Sequence, residues 1–417
     1  MSLALIAAPA SAGDPAVAPD ATVAAAPNAA AVRPSRERMR MNQRVFDRVW
    51  SEVRGQYYDP GLHGVDWNAA RRTYRPRALA APDDRALYRA LGDMLDLLDD
   101  DHAGASAPAV ARRLDTARQA RPAIGVTLRP DRDAPGVYVI ERVREGSPAQ
   151  AAGVASGWRL DTTAPGAWFP ELDVVEGQTV NLTFSDADGG RRVLAITPRL
   201  MEPRPPFVAD LSRPGVAVLR IDAFDPGLGD WVGRQLANLP SGTDIVLDLR
   251  GNPGGRLLEA DALLSCFLPR DLVWATRTTR AGQAIVLKTA GGCGELDEPA
   301  ANEVAVLVDA NSRSAAELTP AALQEARRAV VVGERTAGAV LISQDTRLPD
   351  GGRLSLSRSD FVTAGGVRLE KRGVTPDLTA PVPDEDAEGQ DPALDLAIAA
   401  LAGGDPQQVR APADAPL

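Results

Sequence analysis

Lysine is nearly absent from this 417-residue chain: Lys288 and Lys371 are its only two, although lysine and arginine together number 46. Histidine is as scarce, with only His63 and His102. Chemistry that needs a titratable base near neutral pH therefore has few candidates. Two cysteines, Cys266 and Cys293, rule out a disulfide framework. They are either one bridge formed in an oxidising compartment or two small buried apolar residues. No Cys/His cluster has metal-ligand spacing, so neither a metal nor another cofactor is expected. No run of about 18 apolar residues exists to span a membrane. The net charge of -10 and the lack of a basic cluster argue against nucleic acid and against a membrane-surface patch.

What is present fits a soluble globular protein, with 44% hydrophobic and 24% charged residues. The length suggests two or three domains and permits a large core without staples. Residues 3–9 are apolar and lead into Ala10-Ser11-Ala12, an A-x-A cleavage pattern without the basic segment that normally precedes it. This reads either as the truncated tail of an export signal, which implies a periplasmic or extracellular protein, or as an Ala-rich leader. Residues 13–36 are rich in Ala and Pro and read as a flexible tether.

Five segments follow from patterning: 1–36 signal and linker, 37–118 helical, 119–200 β-rich, 201–402 an α/β core, and 403–417 a tail. Phe46, Val49 and Trp50 share one helix face. A second helix is predicted over Asp84–Leu98, with the stripe Leu87, Leu91, Met94, Leu95 and Leu98. It runs into Asp99-Asp100-Asp101 and then His102. Carboxylates at a helix C-terminus oppose its dipole, so this end is not built for helix stability alone. His63, in a turn-like loop, is expected to face solvent. Gly215–Ile221, Asp244–Leu249, Val304–Val308 and Val330–Gly333 are apolar runs of strand length with helical stretches between them, the pattern of a buried sheet flanked by helices.

Two segments could carry chemistry. Asp248-Leu249-Arg250-Gly251-Asn252-Pro253-Gly254-Gly255 follows an apolar strand, and its glycines let the backbone turn sharply and expose N–H groups suited to an oxyanion. The same turn could serve structure alone. Val306–Glu317 is a strand running into a helix near Ser314, where a hydroxyl meets free N–H groups and the positive end of a dipole. Ser314 and Glu317 also fit a capping box, and on spacing alone the cap is the stronger reading.

Taken in order, these blocks resemble the carboxy-terminal processing (tail-specific) peptidases, a serine peptidase family with tricorn-type relatives. The resemblance spans about residues 45–380 and continues through Val330–Gly338, Leu348–Gly352 and Gly373–Asp377. It implies an α/β multidomain fold: a helical N-terminal domain, a PDZ-like β domain and an α/β catalytic core. It also implies Ser314 as nucleophile, with N–H groups of Gly254 or Gly255 and of Ala315 facing the oxyanion. Typical members carry a lysine base 25 residues after the serine, but here that position is Ala339. Lys288 lies in no family block, and Lys371 is a distant candidate. His102 is similar to the tricorn-type catalytic histidine and Glu370 to its orienting glutamate, although Asp101 stands where that branch has a serine. The implied triad is Ser314–His102–Glu370. Ile124-Gly125-Val126 resembles a PDZ carboxylate loop, with Gly146–Ala149 and Ala152–Val154 as later parts of the signature. The match weakens after Leu160. Pro320 interrupts the helix after the serine and suggests a start at Thr319 with Pro320 at N1. The implied partner is a peptide or protein substrate held by its C-terminal tail. A pseudo-peptidase that only binds peptides and an esterase using the same triad are the alternatives.

Overall fold

Helices form at the N-terminal end where apolar stripes coincide with caps. In the computed structural model, α1 (Arg36–Gln56), α2 (Trp67–Leu79) and α3 (Asp84–Leu95) start at Ser35, Asp66 and Asp83, whose side chains accept N–H bonds from the first turn. Residues 33–403 are described, apart from 117–118, 132–133, 135, 163–173, 187–188 and 382–390. The expected export signal, most of the linker and the C-terminal tail lie outside them. The stripes of α1 and α3 meet as one core that includes Phe46, Val49, Leu87, Leu91 and Met94. Trp50 and Trp67 fix α1 against α2 reciprocally, each indole N–H donating to the other's carbonyl at 3.0 Å.

The region is not purely helical. After α3 a short 3-10 turn over Asp96–Leu98 ends at Asp99, which sits at φ 48°, and the chain reverses. It then extends as β1 (Gly104–Ser106) before α4 (Pro108–Asp115).

Next come β2 (Arg121–Ala123), β3 (Val126–Pro130), β4 (Val137–Val143), the short helix α5 (Pro148–Ala151), β5 (Arg159–Asp161), β6 (Val180–Ser185), β7 (Arg191–Ile196) and β8 (Arg199–Met201). Strands β3 to β7 form an antiparallel sheet in chain order, with β3 at one edge. Alternation places Ile140, Leu160, Leu182 and Phe184 on its buried face. β2 pairs with β8 at the base of this unit.

The remainder is built on β9 (Phe207–Asp210), β10 (Val216–Ile221), α6 (Leu228–Asn238), β11 (Asp244–Asp248), α7 (Leu257–Ser265), β12 (Val273–Thr279), β13 (Ala284–Lys288), β14 (Val304–Val308), α8 (Ala315–Glu325), β15 (Val330–Gly333), β16 (Ile342–Arg347), β17 (Arg353–Thr363), β18 (Leu378–Thr379) and α9 (Pro392–Leu401). The central sheet has the order β18-β15-β14-β11-β10-β9 and is parallel except at β9. Its strands read as unbroken apolar runs because both faces are covered. Leu219, Leu247 and Val306 face the core shared with α6, α7 and α8, while Val218, Val246 and Leu307 face Ala393, Leu396 and Ala397 of α9. A second sheet, β1-β17-β12-β13 with β16 also on β17, joins this unit to the helical region through β1.

Helix α8 starts at Ala315, not Thr319, and continues through Pro320. Pro320 is the sixth residue of the helix, so the N–H bond to the Ala316 carbonyl is lost and that carbonyl is crowded, and the buried neighbours Leu318, Ala321, Ala322 and Leu323 hold the turn. No helix among the described residues is long and apolar enough to cross a membrane.

Cys266 and Cys293 are joined in a disulfide across a sequence separation of 27. Closing a loop of that length removes unfolded-state entropy worth ~3–4 kcal/mol. Replacing both cysteines by alanine should lower the unfolding free energy by about that amount in urea titrations. An unchanged midpoint would show that the bridge does not constrain the chain.

Candidate active site

The loops that follow β11 and β14 lie side by side because their strands pair in parallel, so both emerge at the same edge of the sheet. Side chains stitch them together. Asp309 accepts from the N–H groups of Gly251 and Asn311 at 2.9 and 3.0 Å. Ser312 Oγ donates to Leu249 O at 2.9 Å. Buried Asn252 donates to Ile221 O and accepts from Gly254 N–H, both at 2.7 Å. Arg250 ion-pairs with Asp248 and with Asp391 at 2.8 Å each, tying this turn to the N-cap of α9.

Ser314 is the last residue before α8 and is only partly buried. Its backbone sits at φ 54°, ψ -118°. A non-glycine residue held in that region costs about 1–3 kcal/mol and persists only where its surroundings over-determine it. Here its N–H donates to Ala339 O at 2.8 Å and to Glu317 Oε2 at 3.1 Å. Its carbonyl accepts from Glu317 and Leu318. Gly254, at φ 94°, presses on it: an added Cβ would lie 2.7 Å from Ser314 Cβ and 2.8 Å from Arg313 O. The turn therefore needs glycine at 254 for sterics as well as for φ.

Glu317 is fully buried and carries this arrangement. Besides Ser314 N–H it accepts from Thr336 Oγ1 at 2.6 Å, Gly338 N–H at 2.7 Å and Ala339 N–H at 2.9 Å. Burial pushes its carboxyl above the usual range, and these donors pull it back only in part. The half of the capping box in which the glutamate reaches back to Ser314 N–H is thus present, but the same carboxylate also binds the 336–339 segment.

The expected oxyanion donors divide. The Gly254 N–H is engaged by Asn252, which removes it from that role. Among the described residues the N–H groups of Gly255 and Ala315 have no hydrogen-bond acceptor.

Residues 215–380 match the family model for peptidase family S41, and residues 41–96 match that for the tricorn protease C1 domain. The chain is 28% identical over 351 residues to a carboxyl-terminal-processing protease of a Picosynechococcus species, covering 80% of this chain and 82% of that protein. A putative tricorn protease homolog 2 of Streptomyces coelicolor is 30% identical over 398 residues, which is 85% of this chain and 32% of that protein. Among solved structures, the photosystem II D1 C-terminal processing protease superposes with a TM-score of 0.57 at 24% identity, covering 84% of this chain and 96% of that one. The chain carries a peptidase family S41 domain and a tricorn C1 domain. It is a serine-type peptidase.

This S41 chain has three groups to weigh as the serine's base. Lys288 is exposed on β13, outside the two stitched loops. Lys371 Nζ lies 3.4 Å from both Asp99 and Asp101. Burial alone would lower its pKa, but Asp101 and Asp99 outweigh that and hold the ammonium above its usual range. A protonated amine cannot accept the serine proton. His102 is pushed the other way: burial lowers its pKa, Arg313 and Lys371 lower it further, and Asp100 and Asp101 oppose them. A neutral imidazole at neutral pH follows.

The implied triad is not hydrogen-bonded in this structure. Among the described residues, buried His102 Nδ1 has no hydrogen-bond partner, while the His102 backbone N–H donates to Asp100 Oδ1 at 2.8 Å. Glu370 is buried and accepts from Val340 N–H at 2.9 Å instead of from the imidazole. Burial and the nearby Asp100 push its carboxyl up. The segments nevertheless converge: Lys371 N–H donates to Gly338 O at 2.7 Å, one residue from the Ala339 that meets Ser314. His63 is exposed, yet its ring is held by Tyr58 Oη at 2.8 Å and Leu98 O at 2.7 Å.

Sequence spacing did not disclose the reach of Glu317 or the Asn252 and Asp309 stitches. The Asp-Ala-Asn-Ser run was the available signal, since such side chains bond neighbouring backbone. Glu317→Gln keeps the volume but turns an amide donor toward other donors. It should cost ~2–3 kcal/mol in chemical unfolding, and a loss under 1 kcal/mol would show that the carboxylate is dispensable.

Proposed function

We propose that this S41 peptidase cleaves exported proteins near a C-terminal tail, through an acyl-enzyme on Ser314 with His102 as general base. The observation that carries this reading is the strained backbone of Ser314 at the start of α8, beside the unengaged N–H groups of Gly255 and Ala315. Strain at one polar residue, at a helix N-terminus, is the mark of a nucleophile aimed out of its turn.

In the proposed cycle, Ser314 Oγ attacks the scissile carbonyl while its proton passes to His102. The N–H groups of Gly255 and Ala315 hold the oxyanion. As the C–N bond breaks, the imidazolium gives its proton to the departing amine, and water then hydrolyses the ester by the reverse proton path. Glu370 is the proposed orienting acid. Asp100 exerts the largest carboxylate effect on the imidazole, and we assign it a share in stabilising the imidazolium.

The disulfide supports an oxidising, exported location. The β3–β7 sheet supports a PDZ-like role for residues 119–200. Its edge strand β3 offers a ladder for an added peptide strand, and the Ile124-Gly125-Val126 turn at its start, with Gly125 at φ 86°, would take the carboxylate.

A second reading, a peptide-binding pseudo-peptidase, is favoured by Ala339 at the lysine position and by the unpaired His102 Nδ1. A fluorophosphonate probe separates the two. The active reading expects one adduct, mapped to Ser314 and absent in Ser314→Ala, whereas a folded protein that takes no label overturns it.

The pH dependence carries its own sign. A base depressed below 6.5 is neutral above its pKa, so labelling should rise with pH to a plateau reached below neutrality. Asp100→Asn removes a charge that favours the imidazolium and should move the acid limb to lower pH. Lys371→Met removes a charge that disfavours it and should move the limb to higher pH. Identical limbs in all three proteins would eliminate His102 as the base.

A further inference from the structure

A cavity of about 690 Å³ lies between the β3–β7 unit, α4 and the central sheet. One part of its wall is Ile124, Gly125, Val126 and Leu128, the proposed carboxylate turn and the edge strand that follows. Another part is Gly251, in the turn that supports Ser314. Between them the lining is strongly basic, with Arg121, Arg142, Arg144 and Arg204 joined by Arg112 and Arg113 of α4.

This concentration runs against the chain's net charge of -10. It is also built. Arg142 sits opposite Thr127 in the β3–β4 ladder, beside the strand that a peptide would extend. Arg144 donates to the Glu202 carbonyl, which fixes its guanidinium at the wall. Arg204, which stays largely open to solvent, stands among Arg142, Arg144 and Arg220; partial desolvation and these like charges lower its pKa and outweigh the opposing Asp222. Two carboxylates line the cavity with these six arginines: Glu202, and Asp222, which pairs with Arg220 at 2.8 Å and offsets part of the charge around Arg204.

A tail captured on β3 must cross this cavity for a bond upstream of it to reach Ser314. We infer that the arginines read that stretch of the substrate, so that the chain selects tails carrying aspartate or glutamate within a few residues of the C-terminus. The inference rests on the proposed tail-binding role and adds the substrate class to it. Guanidinium groups in a partly enclosed site suit carboxylates by fork geometry and by weak hydration.

The test uses the full chain with Ser314→Ala, so that binding is read without cleavage. Two fluorescent 20-residue peptides differ only at the second to fifth positions from the C-terminus, carrying acids in one and lysines in the other. Anisotropy titrations should show the acidic tail binding at least tenfold tighter. The gap should shrink as salt is raised, because partly exposed pairs are screened. Arg142→Glu and Arg204→Glu should each reduce or invert the preference, and Arg142→Lys and Arg204→Lys should keep most of it. Arg204 is solvent-exposed, so its substitutions test the point even if those at Arg142 disturb the sheet. Equal affinities for both tails, no binding of either, or a preference unmoved by the charge reversals overturns the inference. Wild-type enzyme separates the two claims. Selective binding with no cleavage by wild type sinks the peptidase reading alone, whereas cleavage indifferent to tail charge sinks the charge selection alone.

Discussion

The carboxylate of Glu317 is the contact on which the rest of the site depends. One buried side chain accepts from Ser314, Thr336, Gly338 and Ala339, and so binds the start of α8 to the segment that follows β15. Hydrogen bonds to an ionised group are worth about 1.5–3 kcal/mol each. Moving Ser314 out of this geometry would leave a buried carboxylate short of a donor, a penalty that for a charged group exceeds ~1–3 kcal/mol and so matches the strain held there. That comparison explains how a non-glycine residue stays at φ 54°. It also explains why a residue that reads as an ordinary helix cap is fully buried: a cap alone would satisfy one donor and could remain in water.

This fastening constrains where a base can come from. Ala339 is buried, with its N–H on Glu317 and its carbonyl on Ser314 N–H. The family's lysine position is thus filled, beside the serine, by a side chain with no titratable group. Any proton acceptor has to arrive from another element. The chain's other lysine near the site is held charged by Asp99 and Asp101, which leaves His102 as the neutral candidate. The substitution at one position, the ion pair at a second and the burial of a third are therefore one argument about protonation states.

Much of this was legible in sequence where cause and effect lie close together. Val304–Val308 and Val330–Gly333 are strands with the bounds that their apolar runs suggest, because a strand covered on both faces needs nothing else to announce it. The turn at 248–255 was readable from its glycines, and Gly254 is where it is for a contact with Ser314 that only the fold discloses. Legibility fails with distance. Glu317 meets partners 19 to 22 residues away, and no periodicity encodes that. β1 is three residues of Gly, Ala and Ser whose strand state comes entirely from β17 beside it. Local propensity alone puts a helix start at Thr319, before Pro320, and the packing of Leu318, Ala321, Ala322 and Leu323 overrides it. The Glu370–His102 pairing, taken from resemblance, meets a structure in which that carboxylate is already engaged by Val340.

The acidic run at 99–101 shows how an unfavourable local choice can report a tertiary one. Each carboxylate near a helix C-terminus costs about 0.3–1 kcal/mol against the dipole, so three in succession would not arise for the helix's own sake. In the fold Asp99 and Asp101 face outward to Lys371, and Asp100 turns inward beneath the His102 backbone. The outward pair draws the closing block of the chain against the loop that bears the histidine. The inward one places a negative charge beside the imidazole. Alternation of direction along consecutive residues lets one acidic segment do both, because the reversal at Asp99 takes the chain out of the helix before the other two carboxylates are placed. The electrostatic conflict visible in the sequence is thus resolved by leaving the helix, and the residues at the exit are the ones that join the closing block of the chain to the loop that bears His102.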